Sequence, residues 1–478
     1  MADTFDDLAV ALDPAFHERQ RNELVARLLA PGPSPRLSDS EEGGDLVVIE
    51  LAPSQGQTMA RRRRWATVAM AAVVATAVVV VALARTGHDP APVGPPSTTI
   101  QDARLGPRRT ATGSSVTIGF LTDGGTAAGA EGADVAGARA AAAYVNDHLG
   151  GVDGHPIDVA VCAADDATTT VPCVGDLVAR DVPAVVLADV RTSSVMESMV
   201  GPAGMPVVSY RAPQDGSGRT SGSFVLSNRL ASFAGPAQLA AQTGARRVLV
   251  VVAGGFDNGR SQSDAQSLLR PLYARAGITA SFELLGSDAG GVSSAVTAAV
   301  AANPDFVHIV GPGICASTLI ALRSVAFAGT IAGAPDCVGP VVAARIPGGA
   351  AGVRVFSSES VDPADAEVAR YRAVMATYAP GVNADVTLAA DGYAAIIGFA
   401  RALTGLQGDI TPATVRAAMH SMAAQTTPLL AAQTFRCDGT QVDGDPVACS
   451  RATVVATLDA NGTPQNPTPI DIARIVGP

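Results

Sequence analysis

The chain has 478 residues, of which 47% are hydrophobic and only 4% aromatic, and its formal net charge is −11 at pH 7. This length exceeds what one hydrophobic core usually serves, so more than one folding unit is expected. The acidic balance, with no basic stripe interleaved with aromatic side chains, argues against nucleic acid as a partner.

Residues 1–60 are predicted to form a largely disordered tail. Pro14–Ala30 has a modest apolar face and is bounded by Asp13 and Pro31, which is typical of a short helix. Such a helix could dock a partner, or it could rest on the membrane or on the tail itself. Residues 31–60 are polar and rich in glycine, proline and serine, a composition that buries too little apolar surface to fold.

Trp65–Ala84 is predicted to cross a membrane. It contains no charged residue, and at about 1.5 Å per residue a helix of this length spans roughly 30 Å, the thickness of a bilayer core. Arg61–Arg64 precede it and Arg85 follows it, and this charge bias predicts a cytoplasmic N-terminus and an extracytoplasmic body. A cleaved signal peptide is the alternative, because Ala82–Ala84 has a small-x-small pattern. Both alternatives export the body.

Residues 85–114 are predicted to form a linker, because Thr86–Gly113 contains several prolines among small residues and is typical of an extended tether. From residue 115 onward the pattern changes, and short apolar strands alternate with amphipathic helices. This alternation predicts parallel sheets with helices on both faces, and two such sheets in series make a two-lobed α/β body. The strands are predicted at Val116–Leu121, Ile157–Val161, Ala184–Ala188, Pro206–Ser209, Arg247–Val252, Thr279–Leu284, Phe306–Val310, Thr330–Ala334 and Gly352–Ser357, with more within Thr434–Ile475. The helices are predicted at Ala133–His148, Val195–Ala203, Ala234–Thr243, Gln262–Ala276, Val292–Ala302, Ala316–Ala326, Pro363–Tyr378, Ala384–Leu403 and Pro412–Met422.

All six cysteines follow the apolar segment, on the side where thiols oxidise. They fall into neighbouring pairs, and three local disulfides are the simplest connectivity. A metal site is the alternative, but the close Cys/His spacing that zinc requires is missing. We therefore expect structural disulfides and no metal. The predicted pairs are Cys162/Cys173, Cys315/Cys337 and Cys437/Cys449.

Enzyme motifs are missing from the sequence, which has no G-x-S-x-G, no H-E-x-x-H and no Walker loop. Gly254–Gly259 follows a predicted strand and precedes a predicted helix, as a phosphate-binding loop would, but it lacks the G-x-G-x-x-G spacing. An ordinary loop at the mouth of a sheet is the alternative, and ligands of open α/β sheets bind at such mouths. We expect no enzymatic activity and no cofactor.

The order of these elements resembles the type I periplasmic binding proteins, in particular the branch that binds leucine, isoleucine and valine or related amides for ABC importers. The resemblance covers about residues 115–475. It implies two Rossmann-like lobes with parallel sheets, joined by a three-crossover hinge, with lobe one at about 115–232 and 359–432 and lobe two at about 233–358 and 433–478. The similar motifs are Val116–Asp123, Gly137–Asp158, Asp181–Ser194, Gly204–Ser209 and Ala390–Ala395.

The resemblance also implies a ligand site. Thr192, Ser193 and Ser194 open a helix in the loop that grips the ligand carboxylate in this family. Hydroxyls and free backbone N–H groups at a helix start form an anion site, which the helix dipole reinforces. Ordinary N-capping is the alternative for these three residues.

Three further residues match positions that contact the ligand in this family. Asp336 aligns with the acid that pairs with the ligand ammonium from lobe two, although it could be a solvated turn aspartate. Phe256 stands where a tyrosine usually closes over the ligand, and core packing is its alternative. Ser209 ends its strand, where its hydroxyl could instead bond the local backbone.

Arg191 and Arg211 depart from the family pattern, which usually presents small residues to the ligand at these positions. Each could be a surface arginine. If either points inward, the pocket would hold an extra positive charge and prefer a more anionic ligand.

We expect a membrane-anchored, extracytoplasmic solute-binding protein of the cell membrane. Its lobes would close on a small polar ligand, such as an amino acid, an amide or a small carboxylate, and an ABC permease would be its partner. The alternative is a ligand sensor, in which residues 1–60 relay occupancy to a cytoplasmic partner. A third function, an exported hydrolase, would need a nucleophile–base pair, and the sequence shows none.

Overall fold

The structure is a computed structural model of the chain, and it describes residues 100–123, 132–188, 190, 192–212, 220, 222–228, 230–253, 260–286, 289–311, 313–337 and 339–477. The predicted tail, the predicted membrane segment Trp65–Ala84 and the first part of the predicted linker lie outside the described residues. No helix in the described part is both long enough and apolar enough to span a bilayer.

Thirteen α-helices lie in the described part of the chain, and most begin and end within three residues of a predicted helix. The predicted helix at Ala133–His148 is an α-helix that continues as a short π-helix, Val145–Leu149. In chain order the α-helices are α1 (Ile100–Leu105), α2 (Ala133–Tyr144), α3 (Ala167–Ala179), α4 (Ser193–Val200), α5 (Ala231–Gln242), α6 (Arg260–Arg275), α7 (Ala289–Val300), α8 (Cys315–Ser324), α9 (Pro340–Ala343), α10 (Ala366–Tyr378), α11 (Thr387–Ala402), α12 (Pro412–Ser421) and α13 (Ala473–Val476).

Lobe one is built on a five-stranded sheet that is parallel throughout. Its strands are β1 (Val116–Thr122), β2 (Ile157–Ala163), β3 (Val185–Leu187), β4 (Val207–Ser209) and β5 (Ser223–Val225), in the order β2-β1-β3-β4-β5. Leu187 pairs with Leu121 on one side and with Ser209 on the other. The carboxyl ends of β1, β3 and β4 therefore lie side by side at one edge. The strand β5 was not predicted from the sequence.

Lobe two is built on a seven-stranded sheet, in the order β14-β13-β10-β9-β8-β6-β7. Five neighbouring strands are parallel, whereas the hairpin of β13 and β14 adds two antiparallel strands at one edge. The predicted parallel sheets are thus confirmed. The second sheet differs from the prediction because it also contains antiparallel pairs. The strands are β6 (Val248–Ala253), β7 (Ala280–Leu285), β8 (Phe306–Val310), β9 (Thr330–Gly333), β10 (Arg354–Ser357), β13 (Val454–Leu458) and β14 (Pro464–Pro469), and a separate pair is β11 (Gln425–Thr427) with β12 (Leu430–Phe435).

Helices α2 and α11 of lobe one pack backbone against backbone. A Cβ atom added at Gly392 would lie 1.9 Å from the carbonyl oxygen of Asp134, and one added at Gly137 would lie 2.1 Å from that of Ala389. Real Cβ atoms never approach a carbonyl oxygen so closely, so both positions require glycine. Gly392 follows Asp391 on α11, so this close approach holds the main chain next to Asp391 against the first turn of α2.

The chain passes between the two sheets three times: after β5, after β10 and after β12. The first and third passages are hydrogen-bonded to each other. Asn228 Nδ2 donates to Thr453 Oγ1 at 2.8 Å, and both side chains are buried. The backbone N–H of Cys449 donates to Val225 O at 2.9 Å. These bonds hold two of the connecting segments as one unit.

The last part of the predicted linker lies on lobe one and is not an extended tether. Leu105, at the end of α1, is only 6% exposed and belongs to the core of lobe one. Further along, the backbone N–H groups of Arg109 and Ala111 donate to Asp147 O and Asn146 O at 2.9 and 2.7 Å. Proline content alone predicts an extended chain, but it does not show that Leu105 is buried in the core of lobe one.

The cysteines are bonded in the same three neighbouring pairs that the sequence predicts. The Cα atoms lie 5.7 Å apart in Cys162–Cys173, 5.5 Å in Cys315–Cys337 and 4.2 Å in Cys437–Cys449. The first disulfide joins β2 to α3 in lobe one, and the second joins the start of α8 to the turn after β9 in lobe two. In the described part of the chain, histidine, cysteine and carboxylate side chains form no cluster that could hold a metal ion.

Candidate functional site

The start of α4 lies beside the carboxyl edge of the first sheet, as the predicted ligand site requires. Thr192 is the N-cap residue, but its side chain makes no capping hydrogen bond; its Oγ1 lies 3.0 Å from Thr170 Oγ1 on α3. Ser193 is fully buried and Ser194 is exposed. The alternative of side-chain capping therefore does not describe Thr192. Its hydroxyl accepts a hydrogen bond from Thr170 on α3 instead.

Ser209 is the last residue of β4 and is 3% exposed. Its carbonyl oxygen accepts a hydrogen bond from the backbone N–H of Leu226 at 2.9 Å. Because Ser209 pairs with Leu187, the last residue of β3, the loops after these two strands leave the same edge. The structure thus places the predicted serine and the start of α4 on one side of the sheet.

Arg211 follows β4 and forms ion pairs with two carboxylates that are distant in sequence. Its Nε donates to Asp391 Oδ1 at 2.7 Å, and its Nη2 donates to Glu359 Oε1. The arginine side chain is 36% exposed, whereas those of Glu359 and Asp391 are 14% and 5% exposed. Burial lowers the pKa of the Arg211 guanidinium, but the two carboxylates outweigh this effect and raise the pKa above its ordinary value.

These ion pairs change the prediction made for Arg211. One positive and two negative formal charges sum to −1, so the arginine adds no uncompensated positive charge to the site. Arg211 therefore gives no reason to expect a more anionic ligand. The sequence missed Glu359 and Asp391 as partners, although Asp391 lies within the motif Ala390–Ala395.

Glu359 lies at the junction of the two lobes. It follows β10 of lobe two by two residues, and Ser357 Oγ donates to its carbonyl oxygen. It bonds Arg211 of lobe one. It also lines a small cavity of about 30 Å³, whose other lining residues are Pro335, Val361 and five residues of β10, β13 and β14 besides Ser357: Val355, Val454, Ala456, Pro464 and Pro467. Its Oε2 atom is buried and has no hydrogen-bond partner among the described residues.

Asp134 is a second buried carboxylate at the carboxyl edge of lobe one. Thr122, the last residue of β1, donates a hydrogen bond from Oγ1 to Asp134 Oδ2. Asp134 is 1% exposed, and its Oδ1 atom has no hydrogen-bond partner within the described part of the chain. The carbonyl oxygen of Asp134 lies close to Gly392 on α11, the helix that carries Asp391.

Tyr210 stands between Ser209 and Arg211 and points into lobe one. It is 1% exposed, and its hydroxyl donates to the carbonyl oxygen of Pro428 at 3.1 Å. Burial raises the pKa of the Tyr210 hydroxyl well above its ordinary value, with the negative charge of Glu359 adding to the effect. The tyrosine therefore stays neutral, and its hydrogen bond to Pro428 fixes the start of the loop after β4.

Phe256 and Arg191 lie outside the described residues. The backbone of Asp336 belongs to a short 3-10 turn, Pro335–Cys337, directly after β9. That turn is at the carboxyl end of the second sheet, and Cys337 fixes it to α8 through the disulfide. The position of the Asp336 side chain lies outside the description.

A second cavity, of about 100 Å³, lies in lobe one at the opposite end of β4. Met205, two residues before β4, lines it together with Thr220 and Arg416. The buried carboxylate of Glu197 also lines it and accepts a hydrogen bond from Ser223 Oγ at 3.0 Å. Since β4 begins at this cavity and ends at Ser209, the cavity is separate from the carboxyl edge.

The sequence matches the family described as periplasmic binding protein over residues 115–461, and the chain therefore belongs to this family. Its members bind ligands and are not enzymes, which confirms the expected class. A comparison with curated protein sequences gave no significant match.

Solved structures of the same fold resemble the chain at low sequence identity. A branched-chain amino acid transporter substrate-binding protein from Streptococcus pneumoniae, in complex with isoleucine, is 17% identical with a TM-score of 0.54, and covers 74% of this chain and 99% of its own. An ABC transporter substrate-binding protein from Desulfitobacterium hafniense, in complex with Leu, is 16% identical with a TM-score of 0.53, over 74% and 100%. An extracellular ligand-binding receptor from Verminephrobacter eiseniae is 16% identical with a TM-score of 0.54, over 74% and 100%. These likenesses confirm the two-lobed α/β fold.

Proposed function

We propose that the protein captures an amino acid, an amide or a small carboxylate between its two lobes and delivers it to an ABC permease. One observation supports this proposal above all: Glu359, two residues after the carboxyl end of β10 in the second sheet, bonds Arg211 at the carboxyl edge of the first sheet. In open α/β sheets, ligands bind at such edges. In this proposal lobe one spans about 115–232 and 359–432, and lobe two about 233–358 and 433–478.

The start of α4 supports a carboxylate-bearing ligand. The first N–H groups of a helix have no partner within the helix, and the positive end of the dipole attracts anions there. Thr192 does not cap this helix start with its hydroxyl, and in this proposal the ligand carboxylate lies beside it. Ser194 and Ser209 would add hydroxyl contacts, and Phe256 and Asp336 are proposed to close the site from lobe two. The amino-acid complexes among the similar structures agree with this ligand class.

A ligand screen on the purified full-length protein tests the proposal. Thermal unfolding would be followed with amino acids, amides and small carboxylates, and positives would be measured by titration calorimetry. A ligand at a hundred times its Kd should stabilise the folded state by about 2.7 kcal/mol. If no compound of these classes shifts the melting temperature, the solute-binding proposal is wrong.

The membrane anchor is part of the proposal and rests on the uncharged stretch Trp65–Ala84 and the flanking arginines. N-terminal sequencing of the mature protein distinguishes the anchor from a cleaved signal peptide. A mature protein that begins at Arg85 would exclude the anchor. Retention of Trp65–Ala84, together with resistance to alkaline extraction from membranes, is the expected result.

A ligand sensor is the second candidate, and the docking of residues 105–113 on lobe one favours it. Because Leu105 and Arg109 are held by that lobe, a movement of lobe one would move the chain that leads toward the predicted membrane segment. Protease protection of residues 1–60 in sealed vesicles, with and without ligand outside, would reveal such coupling. No change on ligand binding would leave transport as the function.

A further inference from the structure

The chain as a whole has a net charge of −11, yet the segment that docks on lobe one, residues 104–113, carries positive charge only. We infer that this docked segment binds the anionic phospholipid headgroups of the membrane and holds lobe one against the membrane surface. The inference uses the membrane anchor of the proposed function, but it does not depend on which solute the lobes bind.

The charge of the docked segment is the first reason. Arg104, Arg108 and Arg109 are exposed, and residues 103–122 contain no acidic residue. A guanidinium group presents its N–H donors in a planar fork, which matches the oxygen atoms of a phosphate group. The docked segment is therefore suited to a surface that displays phosphates.

Other arginines of lobe one have a carboxylate partner within the protein. Arg372 is also exposed, and its Nη2 lies 2.7 Å from Asp385 Oδ1. Arg401 pairs with Glu367 at the same distance. The three arginines of the docked segment form no ion pair with any residue that the structure describes. Their charges are therefore not neutralised by the described part of the chain, and an external anion can approach them.

The docked segment displays its arginines on a fixed backbone. Leu105 is buried in the core of lobe one, and the backbone N–H groups of Thr112 and Gly113 donate to Gly154 O at 3.1 and 2.8 Å. Between these two attachments, the backbone N–H of Arg109 is itself hydrogen-bonded to lobe one. Because the backbone is already ordered, binding costs less conformational entropy than it would for a loose tether. A headgroup contact would also fix lobe one and not the linker alone.

The short distance along the chain between the predicted anchor and α1 keeps the membrane within reach. Residues 85–99 separate Ala84 from α1, and a segment of that length spans at most about 50 Å when fully extended. Such a tether makes the encounter with the membrane intramolecular, which raises the effective concentration of headgroups. Each arginine near an anionic surface strengthens the attraction about five-fold. The lipid surface that carries the anchor is therefore the anionic partner we propose.

Chemical modification of arginine tests the inference on the full-length protein reconstituted into vesicles. Phenylglyoxal modifies accessible guanidinium groups, and mass spectrometry follows the rate at each arginine. Vesicles of phosphatidylcholine alone are compared with vesicles that contain about 30% phosphatidylglycerol, which is anionic. In the anionic vesicles, Arg104, Arg108 and Arg109 should react about 10-fold more slowly, and added salt should restore their rates because ions screen the attraction. Arg345, an exposed arginine of lobe two, is the internal control and should react equally in both.

A double variant, Arg108→Gln with Arg109→Gln, should remove most of the protection of Arg104, because two of the three charges are lost. The matched control is Arg246→Gln with Arg247→Gln, which replaces two neighbouring exposed arginines of lobe two and should leave the protection unchanged. Melting curves check the fold of both variants, and if the first does not fold, the wild-type comparison of the two vesicle types decides. Equal reaction rates in neutral and anionic vesicles, or full protection in the first double variant, would overturn the inference.

The outcomes also separate this inference from the proposed function. A ligand screen without a positive would overturn solute binding and leave the lipid contact standing. If the mature protein begins at Arg85, the anchor fails, and the same comparison is made with the mature protein added to preformed vesicles. Slower modification with phosphatidylglycerol would then support the lipid contact, and equal rates would exclude it.

Discussion

Lobe one buries charged side chains at the edge of its sheet, whereas lobe two buries a neutral pair within its sheet. In lobe one, Asp391 and Asp134 lie at the carboxyl edge, and Asp134 Oδ1 has no partner in the described part of the chain. In lobe two, His308 on β8 lies 3.0 Å from the Tyr273 hydroxyl through Nδ1 and 3.1 Å from Ser232 O through Nε2. Both ring nitrogens have a partner, and both ends of the pair are buried.

The difference separates a polar pair that is fully hydrogen-bonded within the fold from carboxylates with an unpaired oxygen in the described part of the chain. The His308 pair joins β8 to α5 and α6 and is complete within lobe two. By contrast, Glu359 Oε2 and Asp134 Oδ1 have no hydrogen-bond partner in the described part of the chain, and both residues lie near the carboxyl edge of the first sheet, where ligands of open α/β sheets bind. Burial of a polar group is therefore less informative than whether each of its atoms has a partner.

The largest expected effect concerns the packing that holds the lobe-one carboxylates. Gly392→Ala would place a Cβ atom 1.9 Å from Asp134 O, and neither backbone can yield without moving α2 from α11. We expect a loss of about 3 kcal/mol or more in the free energy of unfolding, in spite of the better helix propensity of alanine. Urea unfolding measures it. Gly286→Ala in lobe two, where a Cβ atom meets nothing within 4 Å, should change the stability by less than about 1 kcal/mol, and equal losses in both variants would contradict the packing argument.

The second effect is a pH dependence that belongs to lobe two. Burial lowers the pKa of His308 from its ordinary 6.5 to about 3. The folded state therefore holds fewer protons than the unfolded state between these values, so this stability is fully present above pH 6.5 and is lost as the pH falls toward 3. At pH 4.5 the loss should be about 2 to 3 kcal/mol relative to pH 7.

His308→Gln should flatten this pH dependence, measured as the free energy of unfolding in urea between pH 7 and 4.5. The matched control is His420→Gln, because His420 is an exposed histidine on α12. The comparison between the lobes would be weakened if His308→Gln left the slope unchanged, since His308 would then not be the titrating group.

The smallest effect concerns the segment that connects the lobes. Asn228→Ala removes the bond to Thr453 Oγ1 and the acceptor that holds Leu230 N at 2.9 Å, and we expect a loss of about 1 to 2 kcal/mol in the free energy of unfolding. Asn461→Ala, in the exposed turn between β13 and β14, is the control and should cost less. A double variant with Thr453→Val tests the pair. If the losses from Asn228→Ala and Thr453→Val simply add, the two passages do not act as one unit.

Most of the fold could be predicted because its signals are local. Apolar runs such as Val116–Leu121 and Phe306–Val310 are long enough to mark buried strands, and both are strands in the structure. The cysteine pairs are near in sequence, so their pairing needed little knowledge of the fold. The three-residue strand β5 and the docking of Leu105 escaped prediction, since each depends on neighbours that only the folded chain supplies.

The candidate site was less predictable, because its charge state is a property of distant residues. Arg211 was identified from a departure at one position, yet its partners Glu359 and Asp391 are 148 and 180 residues further along the chain. The sequence places Thr192 at the start of a helix, but it does not show that its hydroxyl lies against Thr170 on another helix. A pattern shows which residue types follow a strand, but not which way each side chain turns.

The amino-acid sequence by itself determined the alternation of strands and helices, the two sheets that follow from it and the pairing of cysteines close in the chain, because short-range periodicity and spacing encode these. The tertiary structure alone decided which carboxylates meet Arg211, which of their oxygens stay unpaired, and that the end of the linker rests on lobe one. These features arise where segments far apart in the chain come together, and electrostatic balance is set by distance in space.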